Sequence, residues 1–156
     1  MEENNPHYLS EEHLIFKSEV SSWQEAIKIV AQPLLAEGII EKKYIDAMIQ
    51  NVMELGDYMV LVPKVAMPHA RPEAGALRTD FSILKLEHPV LFGKKHEVSL
   101  IICLATNDNK AHLALLKRIS ALIDEEVKVN ALLGSASKKE FVTLAETFIR
   151  EEEEEL

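Results

Sequence analysis

Val98-Ser99-Leu100-Ile101-Ile102-Cys103-Leu104-Ala105 is an apolar run, interrupted only by Ser99, that stops at Thr106-Asn107-Asp108-Asn109. Strands covered on both faces lose the alternation of apolar and polar residues, so this run predicts the central strand of a sheet with helices on either side. Asn107, Asp108 and Asn109 all suit a helix cap. A helix carrying His112, Leu115, Leu116, Ile119 and Leu122 is therefore expected to start within a turn of His112.

Upstream, Met59-Val60-Leu61-Val62 and Val65-Ala66-Met67 are strand-length runs separated by Pro63 and Lys64, and they deliver the chain to Pro68-His69-Ala70-Arg71-Pro72. Phe81, Ile83 and Leu84-Lys85-Leu86 form a half-alternating strand that is expected to end near His88-Pro89. Leu14-Ile15-Phe16 is a further short strand. Ser22 and Glu25 have the spacing of a capping box, and Trp23, Ile27, Val30 and Leu34 recur at helical spacing up to Gly38. Pro33 is expected to kink or divide that helix, because it lacks an N–H and crowds the preceding turn. A second helix is predicted from Lys42 to Leu55, with Tyr44, Met48, Val52 and Leu55 in one stripe and Gly56 as its stop.

After His112 come a short helix near Val127 to Leu133, ended by Gly134, and a last helix. Ser137 and Glu140 cap the last one, and Phe141, Leu144, Ala145 and Phe148 form its apolar face. The glutamates from Glu151 to Glu155 read as a solvated tail. Helices lead, strands cluster in the middle and helices return. The fold class is therefore α/β: a single domain over 1–156 with a mixed central sheet flanked by helices on both faces, its core about 14–149 and an acidic tail over 150–156.

Composition narrows the function. At 156 residues and 47% hydrophobic, the chain suits one domain with its own core. One cysteine gives no disulfide framework, in keeping with a reducing cytoplasm. The acidic, polar start is unlike a signal peptide, and the longest apolar run is far short of the roughly 20 residues that span a bilayer. A formal charge of −9 argues against binding nucleic acid through phosphates and points to proteins as partners.

The chemistry is carried by His69 and His112. Prolines on either side of Ala70 and Arg71 stiffen the backbone, so an imidazole beside them is presented rather than mobile. His112 begins the helix after the central strand, and ligands of open α/β folds gather at the carboxyl ends of strands. A histidine can take a phosphoryl group on one ring nitrogen while a hydrogen bond holds the other, and nearby donors neutralise the arriving oxygens. His69 fits the acceptor role, with a backbone carbonyl near the strand end as the partner of its second nitrogen. His112 and the N–H groups at its helix start fit the anion-stabilising role. Arg71 is the nearest guanidinium in sequence and suits a bidentate phosphate contact. Histidines 7, 13, 88 and 96 lie in polar contexts, are expected at the surface and receive no role. Cys103, inside the most apolar strand, is expected to be a buried, inert thiol.

These residues resemble a family. Ala66-Met67-Pro68-His69-Ala70-Arg71-Pro72 with Gly75, then Val98-Ser99-Leu100-Ile101-Ile102 leading to Asp108 and Ala111-His112-Leu113, are similar to the IIA components of the bacterial phosphoenolpyruvate-dependent sugar phosphotransferase system, mannitol–fructose class. The likeness extends from about Leu14 to Phe148. Ser22-Trp23-Gln24-Glu25-Ala26, the spacing of Tyr44, Gly56 and Tyr58, and Pro72-Glu73-Ala74-Gly75 look most like its ascorbate-specific branch. The resemblance implies an α/β sandwich and a cytoplasmic phosphocarrier without a cofactor. Phospho-HPr would charge His69, a cysteine of the cognate IIB would take the group, and the IIC permease would use it later, with His112 as the second active-site histidine. Mannitol-type members carry an arginine on the helix before the histidine strand. Here the segment from Met48 to Leu55 offers only Gln50 and Asn51, which makes Arg71 the candidate positive charge.

Two other functions compete. A regulatory IIA-like sensor would be phosphorylated on His69 without serving transport. A metal-assisted hydrolase would need a third ligand beside His69 and His112, and the one candidate, Asp108, is better placed as a helix cap.

Overall fold

The structure, a computed structural model, describes residues 8–154. In chain order the elements are β1 (Leu14–Lys17), α1 (Trp23–Ala36), α2 (Lys42–Leu55), β2 (Val60–Val62), β3 (Lys64–Ala66), β4 (Asp80–Phe92), β5 (His96–Ala105), α3 (Asn109–Ile123), α4 (Glu126–Leu133) and α5 (Lys138–Glu154). The strands form one sheet in the order β1-β4-β5-β3-β2, with the long apolar strand β5 at its centre. β1 runs parallel to β4 and β3 parallel to β5, whereas β4 and β5, like β2 and β3, are antiparallel. The sheet is mixed, as expected.

Alternation along β5 explains the layering. Leu100, Ile102 and Leu104 join one core with α3, α4 and α5, while Ile101, Cys103 and Ala105 join the other with α1 and α2. Successive strand residues face opposite sides, so this one strand is shared by both cores. From Leu100 to Ala105 it needs apolar residues at every position for that reason, which is why that stretch reads as an unbroken run.

Caps fix the helices where the sequence marks them. Ser22 Oγ accepts from Glu25 N–H at 3.1 Å, Asp108 Oδ1 from Ala111 N–H at 2.9 Å and Ser137 Oγ from Glu140 N–H at 3.1 Å. Each such cap contributes about 1 kcal/mol. In the two boxes the glutamate reaches one residue further back than the pattern implies, to the N–H of Ser21 and of Ala136.

Four expectations are corrected. Pro33 does not divide α1: it lies in the last turn, and the helix passes through it to end at Ala36 before Gly38 at φ +73°. Burial of Ile27, Val30 and Leu34 against the sheet offsets the lost hydrogen bond. β4 does not stop before Pro89. The ladder to β5 skips from Lys85 to Val90, so proline sits where no ladder bond is asked of it. Leu55 is 56% exposed and leaves the buried stripe of α2. Glu151 to Glu154 lie at the surface but are helical, since α5 continues through Glu154. Among the described residues no helix is long and apolar enough to cross a membrane.

Candidate active site

β3 and β5 run side by side in the same direction, so their carboxyl ends open onto one edge of the sheet, and that edge holds both predicted histidines. Beyond β3, Met67 N–H donates to the Met59 carbonyl at 2.8 Å and Leu104 N–H to the Pro68 carbonyl at 3.1 Å. The backbone before His69 is thereby fixed to its neighbours. The His69 Nδ1 lies 2.8 Å from the Met67 carbonyl oxygen. A carbonyl only accepts, so Nδ1 carries the hydrogen, and in the neutral ring Nε2 keeps its lone pair. This is the backbone carbonyl near a strand end that the sequence called for.

His69 opens on a cleft of about 700 Å³ shared with Asn51, Tyr58, Arg71, Thr106 and His112. The structure brings together His69, His112 and Arg71, the three predicted site residues. Arg71 is exposed at the rim, two residues beyond His69, and lines the same cleft. His112 is half-buried in the first turn of α3, and its Nδ1 is buried with no hydrogen-bond partner among the described residues. An orphaned N–H is costlier than an orphaned lone pair, so the neutral ring carries its hydrogen on Nε2. His112 is then a donor through that nitrogen.

The helix start beside His112 is less electropositive than expected. Asp108 places a carboxylate there and takes up the Ala111 N–H, which offsets part of the dipole's attraction for an anion. Asp108 thus acts as the cap rather than as a ligand. Cys103 is buried, and burial raises its thiol to about 12, consistent with an inert core residue.

Two cleft residues carry no site role in the sequence reading. Tyr58 places its ring 6.1 Å from that of His69. Asn51, a neutral residue in the segment where mannitol-type members carry an arginine, donates from Nδ2 to the His69 carbonyl at 3.2 Å. An exposed aromatic just after the helix-stopping Gly56 is the one local signal that marks Tyr58.

Among the other histidines, His88 is exposed as expected, whereas His96 is half-buried and opens β5 opposite Phe92. His7 lies outside the described residues. His13 contradicts its surface assignment, being only 7% exposed. Its Nδ1 donates to the Phe81 carbonyl at 3.0 Å and its Nε2 to Glu37 Oε2 at 2.9 Å. Asp80, 3.6 Å from Nδ1, raises its pKa, burial opposes this, and Glu37 raises it further, to about 9. Two acceptors on two nitrogens require the imidazolium.

Known proteins are similar to this chain in sequence and in fold. Residues 7–147 match the model of the family "Phosphoenolpyruvate-dependent sugar phosphotransferase system, EIIA 2". The chain is 36% identical over 138 residues to the mannitol-specific cryptic phosphotransferase enzyme IIA component of Escherichia coli K12, covering 88% of this chain and 94% of that one. Identity to the ascorbate-specific PTS system EIIA component of the same strain is 32% over 131 residues, covering 82% and 85%. The solution structure of the mannitol-specific cryptic enzyme IIA from Escherichia coli superimposes with a TM-score of 0.82 at 35% identity, over 88% of this chain and 95% of that one. The chain therefore belongs to the EIIA 2 family of the phosphoenolpyruvate-dependent sugar phosphotransferase system.

Proposed function

We propose that the chain, acting as one domain over 1–156, is a cytoplasmic phosphocarrier in which Nε2 of His69 receives a phosphoryl group from phospho-HPr. It then passes the group to a cysteine thiolate of the cognate IIB. In the first step the P–N bond of the donor breaks as the bond to Nε2 forms. In the second that bond breaks as P–S forms, and the imidazole regains its lone pair. The carrying observation is the His69 Nδ1 bond to the Met67 carbonyl, which leaves Nε2 as the nucleophile in a cleft shared with a second imidazole and a guanidinium. His112, donating from Nε2, stabilises the phosphoryl oxygens, and Arg71 adds charge from the rim. No cofactor enters either step, and the IIC permease uses the group only after IIB has received it.

L-ascorbate is proposed as the sugar of this system. The support is the branch-like residues around Trp23, Tyr58 and Gly75 together with the ascorbate-specific relatives. The mannitol-type relative at 36% identity supplies the competing outcome.

Phosphoenolpyruvate, the general phosphotransferase proteins and a panel of IIB proteins test both levels. One acid-labile, base-stable label is expected, absent in His69→Ala, with discharge fastest to an ascorbate-type IIB. Label that persists in His69→Ala would refute the acceptor assignment. Preference for a mannitol-type IIB would overturn the sugar, and charging without discharge to any IIB would favour the regulatory sensor.

A further inference from the structure

Helix α2 reaches the amide that follows His69 from two places. Tyr44 and Asn51 lie seven residues apart on it, two turns, which brings them to one face. Asn51 Nδ2 donates to the His69 carbonyl at 3.2 Å, and the Tyr44 hydroxyl accepts the Ala70 N–H at 3.0 Å. Those are the two polar ends of a single amide plane. The Tyr44 hydroxyl passes its own hydrogen to the Leu104 carbonyl at 2.8 Å, and Leu104 N–H donates to the Pro68 carbonyl at 3.1 Å. The amides before and after His69 are thus both tied to the end of β5. What remains free is the torsion of the side chain, and the Met67 carbonyl selects one setting of it.

Tyr44 is fully buried, whereas Asn51 is half-buried on the cleft wall, where water competes for its amide. An imidazole whose following amide could rotate would offer either nitrogen to an incoming phosphoryl group. Resting on the phosphocarrier reading above, we propose that Tyr44 and Asn51 are positioning residues for phosphotransfer. They clamp the His69–Ala70 amide, so that Nδ1 stays on the Met67 carbonyl and Nε2 stays in line with donor and acceptor as the bond to phosphorus forms and breaks. Neither side chain is required to touch the phosphoryl group.

The test is rapid-quench phosphotransfer from labelled phospho-HPr to the full chain, paired with nitrogen-15 spectra of the His69 imidazole. Asn51→Ala should reach the wild-type extent of labelling about tenfold more slowly, the effect of one hydrogen bond. Its spectrum should show a mixture of tautomers where the wild type shows the Nδ1–H form. Asn51→Asp, which sets a carboxylate against a carbonyl, should be slower still. Gln50→Ala, removing a side chain that among the described residues bonds only the exposed Glu54, should match the wild type. Tyr44→Phe should act in the same direction as Asn51→Ala, and the half-buried Asn51 decides the matter if the buried substitution unfolds the chain. A wild-type rate in Asn51→Ala, or a slower rate with an unchanged imidazole spectrum, would overturn the proposal. Loss of all labelling in the wild type would instead refute the carrier reading itself.

Discussion

Replacing His13 with glutamine should remove a part of the stability that depends on pH. The ring sits between Glu37, Asp80 and the Phe81 carbonyl, joining the end of α1 to the start of β4. A rise from 6.5 to about 9 corresponds to about 3 kcal/mol, at about 1.4 kcal/mol per unit. Glu37 and Asp80 are 43% and 40% exposed, so solvent screening brings the expectation to about 2 kcal/mol. The folded-state pKa lies above the unfolded one. The contribution is therefore complete below about pH 6.5 and is lost as pH rises through about 9. Urea unfolding of wild type and His13→Gln, followed through the lone Trp23, which packs against Phe92, measures the difference directly. The gap should narrow by about 2 kcal/mol between about pH 6 and about pH 10. A gap that stays constant across that range would show that the imidazolium contributes nothing beyond its packing.

In His112→Ala, His69 should still be charged while discharge to IIB falls about a hundredfold, as for loss of one donor to a developing anion. Arg71→Ala, on the exposed rim, should cost about tenfold in the same assay, and unchanged discharge in either variant removes that residue from the mechanism. Gly75→Ala should destabilise by more than about 1 kcal/mol, because φ is +134° and the new Cβ would lie 3.2 Å from side-chain atoms of Lys43 and Tyr44. Thermal unfolding checks this, and an unshifted midpoint would contradict it. Cys103 should resist thiol reagents in the native protein and react on denaturation, as its burial and raised pKa require; fast native labelling would contradict its placement.

Much of the fold was legible because local signals and tertiary demands agree. The helix from Lys42 to Leu55 is legible to the residue, since helical spacing ends at a glycine that adopts φ +67°. The central strand was legible because both its faces are buried. The full length of β4 is not legible because proline usually ends a strand, and only the register gap opposite β5 shows why this one does not. His69 and His112 could be found from prolines and caps nearby. His13 could not, as its neighbours Glu11 and Glu12 are polar and exposed while its acceptors come from residues distant in sequence. Asn51 was equally hidden, because a hydrogen bond to a backbone carbonyl leaves no mark on composition or periodicity.

The parallel pairing of β3 with β5 sets a gauge for the site. Adjacent strands lie about 4.8 Å apart because of their backbone hydrogen bonds, so the lead-ins to His69 and His112 are metered by groups that side-chain replacement leaves in place. Core residues can drift in size without detuning that interval. One residue inserted between Ala66 and His69, or between Ala105 and His112, would alter it at once. Tolerance to substitution and intolerance to insertion thus arise from the same ladder.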